Sequence, residues 1–418
     1  AHGSVCPYAA GRWVHRARTD YGHCMPGSAR FNVRRIQLRH YRSIGSCDVR
    51  LGAFTVLVGP NGSGKSNFVD SLRFVSQALN ENLDNALRDR GGVAEIRRRS
   101  TGHPTHFGIR LEVGTDAMSG TYAFQIGAVK GGDYRVTHES CRIDRAEFGA
   151  SSVAVEVRDG VVTRSDLPVL PRATADRLFL VSLSGLPEFR EIFDGLSSCN
   201  VYNLNPDVMR QPQKPDPGEL LARDGGNIAS VLATLSRTKP DMKARIEDYL
   251  RHIVPGVESV ERRAMGAWET LEFRQRVAGA PNPWTFQASS MSDGTLRVLG
   301  VLTALFATDT AFLSPVAIEE PEAALHPAAA GLLLEALRSA AEARQVLATS
   351  HSPDLLDASV VPDELLAVRA DEGTTTVAPL DSASQAALRD RLYRAGDLLR
   401  VDQLLPEGVE EPPLDLFA

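Results

Sequence analysis

Apolar and polar positions follow two different periods along the chain. Three short runs rich in apolar and β-branched residues, at 54–58, 316–318 and 345–349, are typical of strands buried in a parallel sheet. A further run at 31–38 also predicts a strand. Apolar residues three or four positions apart predict helices just after residue 65 and at 227–252, 293–307 and 327–344. Strand and helix alternate at both ends of this pattern, which predicts an α/β fold.

The pattern changes between these two α/β stretches. Residues 105–165 contain short β-like runs separated by Gly-Gly and Asp-Gly turns, which predict an antiparallel meander. Residues 175–285 are mixed, with a proline-rich loop at 206–218. No heptad pattern persists over three heptads, so we expect no long coiled coil. The longest apolar stretch, 298–307, is far below the roughly 20 residues that span a bilayer, so we expect no membrane span.

Charge and cysteine content bear on the binding partners and the cellular location of the protein more than on its reaction. The 46 basic and 52 acidic residues leave a net charge of -6, which argues against a general polyanion binder. Residues 30–110 nevertheless hold 14 basic and 6 acidic side chains, whereas 401–418 hold five acids and no base. The five cysteines are scattered and form no C-x-x-C pair, which indicates a reducing, cytoplasmic location without zinc or disulfides.

A glycine-rich segment joins the strand at 54–58 to the helix after it. Gly59-Pro-Asn-Gly-Ser-Gly-Lys-Ser matches G-x-x-x-x-G-K-[ST] in the strand-to-helix context that the motif requires. Backbone amides and the helix dipole favour a phosphate there, Lys65 would bridge its β- and γ-phosphates, and the Ser66 hydroxyl would bind Mg²⁺. The predicted nucleotide-binding residues are Gly59, Asn61, Gly62, Ser63, Gly64, Lys65, Ser66 and Asn67.

Two acids follow the strand at 316–318 directly. Open α/β sheets bind ligands at the carboxyl ends of their strands, so Glu319 and Glu320 are placed for catalysis. We assign Glu319 to the metal side through water, and Glu320 to the water that attacks the γ-phosphate. For Glu322 two interpretations stay open, a place in the site and a place in a solvated loop.

Two further segments complete a fixed order of motifs. Met291-Ser-Asp-Gly-Thr opens a helix about twenty residues before the acids, and His351 follows the strand at 345–349. By itself a serine at a helix start is ordinary capping.

In this order the motifs resemble those of ABC-type ATPases of the SMC/RecF-like branch, which includes OLD-like proteins and many AAA-family predicted ATPases. The resemblance covers about 30–112 and 285–370. It implies that Ser292, Asp293 and Gly294 form a signature that contacts the γ-phosphate of ATP held by a partner subunit. It also implies that His351 is a switch histidine in cis and that 322–327 form the loop where subunits meet.

The sequence departs from the usual pattern at three points. The metal-facing acid is Glu319 instead of Asp, and Asp293 stands where transporters usually have Gly. We assign no Q-loop glutamine, because Gln77 falls in the first helix and Gln125 in the meander.

The resemblance predicts five segments, in which one P-loop NTPase head of the ABC/SMC type is interrupted by an inserted α+β lobe. They are an N-terminal extension expected to be disordered (1–29), the first part of the head (30–112), the lobe (113–284), the second part of the head (285–380), and a C-terminal helix with an acidic tail (381–418).

The predicted function is Mg²⁺-dependent ATP hydrolysis with ATP-driven homodimerisation, coupled to DNA repair or to defence against foreign DNA. Arg97, Arg98 and Arg99 are the local candidates for DNA contact, with a solvated helix end as the alternative interpretation. An alternative is an ATPase switch that acts with a separate effector such as a nuclease, since the 67 residues after His351 are too few for a nuclease domain. A minor alternative is a transporter subunit, but its Asp-Glu-Pro-Thr and Ser-Ala-Leu-Asp patterns are missing.

Overall fold

The computed structural model describes residues 29–99, 104–145, 151–307, 312–358, 360–408 and 415–417. Its strands are β1 (Ala29–Arg30), β2 (Asn32–Tyr41), β3 (Ile44–Arg50), β4 (Phe54–Val58), β5 (His106–Gly114), β6 (Met118–Ala128), β7 (Tyr134–Arg145), β8 (Ser151–Arg158), β9 (Val161–Ser165), β10 (Asn200–Tyr202), β11 (Val257–Met265), β12 (Trp268–Gln275), β13 (Trp284–Gln287), β14 (Phe312–Leu313), β15 (Val316–Glu319), β16 (Val346–Ser350), β17 (Leu365–Asp371) and β18 (Thr374–Pro379).

The helices surround the strands in the same chain order. They are α1 (Lys65–Asn80), α2 (Leu83–Arg88), α3 (Val93–Ile96), α4 (Phe179–Leu183), α5 (Pro187–Ser197), α6 (Pro206–Arg210), α7 (Ile228–Thr238), α8 (Pro240–Ile253), α9 (Asp293–Phe306), α10 (Ala330–Ala341), α11 (Pro353–Leu356), α12 (Ser382–Arg389) and α13 (Ala395–Arg400). Short 3₁₀ turns precede α9 and α10 at Ala288–Ser290 and Pro327–Ala329, and a third lies at Pro362–Glu364.

One large sheet organises the described part of the chain. Its 13 strands lie in the order β10-β15-β16-β4-β17-β18-β3-β2-β5-β6-β7-β8-β9. The five strands from β10 to β17 are parallel, and the strands from β2 to β9 are joined in antiparallel pairs. A separate three-stranded sheet, β11-β12-β13, leads into α9. The strand order therefore divides the large sheet into a parallel half and an antiparallel half.

Side chains of the parallel strands are buried on both faces, as a run of five buried residues in β4 shows. Leu57 faces a core shared with Phe68 of α1, whereas Val56 and Val58 face a second core shared with Leu299 of α9. Helices cover both faces, so these strands need apolar residues at every position rather than at alternate ones.

Most elements expected from the periodicity are present. The strands predicted at 54–58, 316–318 and 345–349 appear within a residue or two as β4, β15 and β16, and the meander appears as β5 to β9. The helical stretch predicted at 227–252 is helical, but it is divided into α7 and α8, because Pro240 cannot donate the backbone hydrogen bond that a continuous helix needs. The helix predicted at 327–344 begins with a 3₁₀ turn and ends at Ala341.

The segment boundaries remain a prediction. Strand β5 runs across the boundary predicted at 112 and pairs with β2, so the meander continues the sheet of the preceding segment. The α/β fold and the lack of a long coiled coil agree with the described residues. The disorder predicted for the extension concerns residues 1–29, of which only Ala29 lies among the described ones. Among the described helices, none is long and apolar enough to cross a membrane.

Candidate functional site

Three strand ends meet at one edge of the parallel half. In the sheet register Glu319 is opposite Thr349, and Thr349 is opposite Leu57. Because β15, β16 and β4 are parallel neighbours, the residues that follow each strand emerge at the same edge. The phosphate loop, the paired acids and His351 therefore lie side by side, although they come from distant parts of the chain.

The phosphate loop leads from β4 into α1 through a backbone conformation that favours glycine. Gly64, at the N-cap of α1, has a φ of 104°, which side-chain-bearing residues rarely adopt. A Cβ there would lie 2.3 Å from Oγ1 of Thr375, and this hydroxyl donates to the Ser63 carbonyl oxygen at 2.9 Å. Helix α1 starts without a side-chain cap, so its first N–H groups are free to bind an anion.

The residues predicted to bind nucleotide differ in their surroundings. Asn61, Gly62 and Ser66 are exposed, whereas Gly59, Ser63 and Lys65 are buried. The Ser63 hydroxyl has no hydrogen-bond partner among the described residues, as expected of a group that awaits a ligand. The Asn67 amide donates to the Ser43 hydroxyl at 2.7 Å, so it braces the loop from the β2–β3 turn.

Lys65 lies folded over its own loop. Its Nζ donates to the carbonyl oxygens of Gly59 and Pro60, both at 2.8 Å. Burial lowers the pKa of Lys65, and the nearby carboxylates of Glu320 and Glu322 oppose that shift. Lys65 and these two acids therefore lie close enough to interact electrostatically.

Glu319 forms an ion pair with a residue from outside the predicted site. Its Oε1 lies 3.1 Å from a guanidinium nitrogen of Arg223, and its side chain is only 12% exposed. The carbonyl oxygen of Arg223 accepts a hydrogen bond from the Asn203 N–H, just after β10. Because β10 pairs with β15, this bond places the loop that carries Arg223 beside β15. The carboxylate assigned to the metal side is therefore oriented by an arginine.

Glu320 contacts His351 directly. Its Oε1 lies 3.1 Å from His351 Nδ1, and each side chain is more than a third exposed. The Glu320 backbone has a φ of 47°, a left-handed conformation that costs on the order of 1 to 2 kcal/mol for a residue with a side chain. Its N–H donates to the backbone carbonyl and to the hydroxyl of Thr349, which hold it in this conformation.

Glu322 is buried beneath this pair. It is 7% exposed, and its Oε1 accepts a hydrogen bond from the Ser350 hydroxyl at 2.6 Å. Burial raises the pKa of Glu322, because an uncompensated carboxylate is poorly solvated there. Of the two interpretations left open by the sequence, the solvated loop is thus wrong for Glu322.

The predicted signature lies at the start of α9. The Ser292 hydroxyl accepts a hydrogen bond from the Thr295 N–H and so caps the helix. Both Ser292 and Asp293 are exposed. Asp293 forms an ion pair with Arg210. Gly294 is buried, and a Cβ there would lie 2.5 Å from the carbonyl oxygen of Ala324. The helix start therefore packs on the loop after the acids, and only glycine fits at the contact.

Arg297 connects α9 to the acids by its side chain. Its guanidinium donates to the carbonyl oxygens of Glu319, Glu320 and Leu204, at distances of 2.9 to 3.2 Å. Burial lowers the pKa of Arg297, and the three acids at 319, 320 and 322 oppose the shift.

The sequence prediction missed Arg223, Arg297 and Thr375. Arg297 follows Ser292 by five residues, which is a weak signal. Arg223 and Thr375 have no sequence signal, because each reaches the site from an element that is remote along the chain.

The residues present fit a nucleotide with Mg²⁺. A buried, unpartnered Ser63 hydroxyl, an exposed Ser66 hydroxyl and the carboxylate of Glu319 all lie at the edge that carries the phosphate loop. Among the described residues no three His, Cys, Asp or Glu side chains form a metal cluster. Mg²⁺ commonly takes only one or two protein ligands and completes its shell with phosphate oxygens and water.

Comparisons with known proteins agree with this geometry. The model of the family described as "AAA domain, putative AbiEii toxin, Type IV TA system" matches residues 54–133 and 237–357. A stretch of 44 residues is 52% identical to the chromosome partition protein Smc of Synechocystis sp.. That stretch is 10% of this chain and 4% of Smc, so the chain matches only a small part of that relative.

Solved structures of SMC heads share the fold. One is an Smc head bound to the C-terminal winged-helix domain of ScpA, with 14% identity, a TM-score of 0.50 and coverage of 84% of this chain and 99% of that one. Another, from Pyrococcus furiosus, is an Smc head with an extended coiled coil bound to the C-terminal domain of ScpA, with 11% identity, a TM-score of 0.50 and coverage of 87% and 99%. The phosphate-loop motif and the matching AAA domain show that the chain contains a P-loop ATPase domain, and the solved structures show that its fold resembles that of SMC heads.

Proposed function

We propose that this edge of the sheet binds ATP with Mg²⁺ and hydrolyses it. Lys65 turns from the carbonyl oxygens of its own loop towards the β- and γ-phosphates, and the loop amides hold the β-phosphate. Ser66 would hold the metal directly and Glu319 would hold it through water. When bound, Mg²⁺ neutralises charge that develops on the phosphate oxygens.

Glu320 is the proposed base. Water attacks the γ-phosphorus while the bond between the γ-phosphorus and the bridging oxygen of ADP breaks. Glu320 accepts a proton from that water. His351 contacts the γ-phosphate in cis and orients Glu320. The observation that carries this proposal is the 3.1 Å contact between Glu320 and His351, at the strand edge that also carries Lys65.

We further infer that ATP joins two copies of the chain. Ser292 and Asp293 are exposed at the start of α9, where a helix N-terminus favours an anion. In the dimer these residues, with the backbone at Gly294, would contact the γ-phosphate of ATP bound by the second copy. The loop 322–327 packs on Gly294, so it lies next to the same surface.

Glu320→Gln tests both steps. We expect ATP turnover to fall at least a hundredfold while ATP stays bound, because the phosphate-binding groups remain. With ATP and Mg²⁺ the variant should sediment as a dimer, and the wild type as a mixture that returns to monomer. Glu335→Gln, an exposed position on α10, is the matched control. Unchanged turnover in Glu320→Gln would refute the assignment of the base.

For the cellular role we propose action on DNA, in repair or in defence against foreign DNA. The support is the excess of basic side chains at 30–110 together with the SMC-head fold. The arginines proposed for DNA contact are partly engaged in the protein. Arg97 donates to the Pro104 carbonyl oxygen, Arg98 to the Thr374 hydroxyl, and Arg99 to Glu95. Arg99, at 73% exposed, is the best placed of the three for phosphate contact.

The DNA proposal predicts a salt-dependent affinity. Binding to duplex DNA with ATP and Mg²⁺ should weaken by at least tenfold between 50 and 200 mM salt, as phosphate contacts release counterions. Arg99→Ala should lower the slope of the salt dependence, whereas Arg142→Ala on the distant meander should not. Binding that is absent, or that ignores salt, would end the DNA proposal without affecting the ATPase.

A second candidate is an ATPase switch that acts with a separate effector such as a nuclease. The matching family is described as containing a toxin of a toxin–antitoxin system, and the related Smc heads were solved with a bound partner, ScpA. This candidate predicts that the purified chain cuts no DNA alone. Cleavage by the purified chain, abolished in Lys65→Ala, would exclude it. We infer a cytoplasmic location for either role from the scattered cysteines.

A further inference from the structure

Glu322 is a buried ionisable group that the proposed reaction does not use. Its Oε2 has no hydrogen-bond partner among the described residues, and the whole residue is 7% exposed. Burying a carboxyl group has a free-energy cost, which an Ala or Leu at this position would avoid. Such a group commonly has a role in the site.

Among the described residues, the side chain of Glu322 is hydrogen-bonded to Ser350, which directly precedes the proposed switch histidine. The Ser350 hydroxyl, which is fully buried, donates to Glu322 Oε1 at 2.6 Å and accepts from the Ser352 N–H at 3.1 Å. Ser350 and Ser352 flank His351 on both sides. One carboxyl group thus sets the backbone turn that carries the histidine.

The turn holds His351 in contact with Glu320. Glu320 lies two residues before Glu322 in a loop whose backbone is left-handed at 320 and again at Ala324. One loop therefore touches the histidine segment twice, once through Glu320 to the ring and once through Glu322 to the turn beneath it.

We propose that Glu322 is a positioning residue, which fixes the His351 ring opposite Glu320 by clamping Ser350. This inference rests on the proposed ATPase site and assigns a role to a residue outside its reaction. Burial raises the pKa of Glu322, which favours the neutral carboxylic acid at this place. Ionisable groups face Glu322 from three other elements, namely Lys65 of α1, Arg297 of α9 and His351 after β16.

The clamp has a specific signature in mutant kinetics. Glu322→Ala and Ser350→Ala should each lower kcat about tenfold with the KM for ATP changed less than twofold, because the phosphate loop is untouched. The double variant should lose no more than either single variant, because both remove the same link. Glu322→Gln, which imitates the neutral acid, should keep kcat within threefold. Glu335→Ala on α10 is the control for an exposed glutamate.

A measurement that needs no turnover separates this inference from the proposed ATPase. In proteins with ¹³C-labelled histidine, the ring signal of His351, assigned by its loss in His351→Gln, should shift in Glu322→Ala and in Ser350→Ala. It should stay unchanged in Glu335→Ala. A His351 signal that is the same in all variants would overturn the clamp, and so would losses in kcat that add in the double variant. Failure of the wild type to hydrolyse ATP would refute the proposed function and leave this test intact.

Discussion

The two halves of the large sheet use similar numbers of strands for different purposes. In the parallel half, β15, β16 and β4 are buried on both faces and present their chemistry only where they end. In the antiparallel half, strands such as β5 and β7 bury one face and carry charged side chains on the other. Parallel neighbours bring several strand ends to one edge, whereas antiparallel neighbours alternate their ends. We therefore expect substitutions in the parallel half to change catalysis and those in the meander to change stability.

The largest effect should come from Lys65 at the phosphate loop. Lys65→Met keeps the aliphatic stem but removes the charge that would face the phosphates. ATP affinity should fall about a hundredfold, which corresponds to about 3 kcal/mol. Titration with a fluorescent ATP analogue measures the loss, and the midpoint of thermal unfolding should change little. Unchanged affinity would mean that the loop is not the nucleotide site.

Glu139 on β7 tests the meander, where we expect a substitution to change stability and to leave ATP turnover unchanged. It is fully buried, and its oxygens accept hydrogen bonds from Tyr122 and from the backbone N–H groups of Phe179 and Leu180. Burial raises its pKa to about 7 from 4.5. The folded protein keeps this proton to a higher pH than the unfolded chain, so the stability it gives is complete below pH 4.5 and is lost as the pH rises through 7.

Between pH 4.5 and pH 7 the proton on Glu139 contributes at most about 3 kcal/mol to the free energy of unfolding. Glu139→Gln should remove it, so the difference in unfolding free energy between wild type and variant should change between pH 5 and pH 8. Denaturant unfolding at several pH values measures this difference. Equal pH dependence in the two proteins would contradict the prediction. ATP turnover per folded molecule should be the same in both.

Gly294→Ala should have an intermediate effect on both stability and ATP turnover, because Gly294 lies beside the parallel half of the sheet. The added Cβ would meet the Ala324 carbonyl oxygen at 2.5 Å, and backbone has little freedom to move away. Overpacking of this kind costs about 1 to 3 kcal/mol. We expect a lower unfolding temperature and slower ATP turnover together, since the contact joins α9 to the loop after Glu320. Gly331→Ala, where the nearest atom is 3.9 Å away, is the control.

The smallest effect is expected for Arg142 on the exposed face of the meander. It pairs with Asp144 at 3.1 Å, and its side chain is 61% exposed. Exposed ion pairs contribute from nothing to about 1 kcal/mol. Arg142→Ala should leave both ATP turnover and the unfolding temperature within error, and a clear loss of turnover would show that the meander takes part in catalysis.

Apolar spacing and turn residues predicted most strands and helices of the core. They did not predict where a helical stretch is broken or which distant strands pair. Strand β4 and helix α1 were recognisable because their apolar periods and the glycine loop agree with each other. The break at Pro240 was missed because the apolar spacing of 227–252 continues across it. The meander was predicted from its turns, but its pairing with β2 was not, since register between distant strands leaves no local pattern.

The amino-acid sequence by itself determined the phosphate loop, the paired acids after β15, the helix start at Ser292 and the histidine after β16. Each of these depends on residues that are adjacent along the chain. Only the tertiary structure decided that Arg223 pairs with Glu319, that Thr375 braces the loop from 312 residues away, and that Glu322 is buried on Ser350. These contacts depend on strand order and on packing between helices and loops, which bring together residues that have no spacing rule in common.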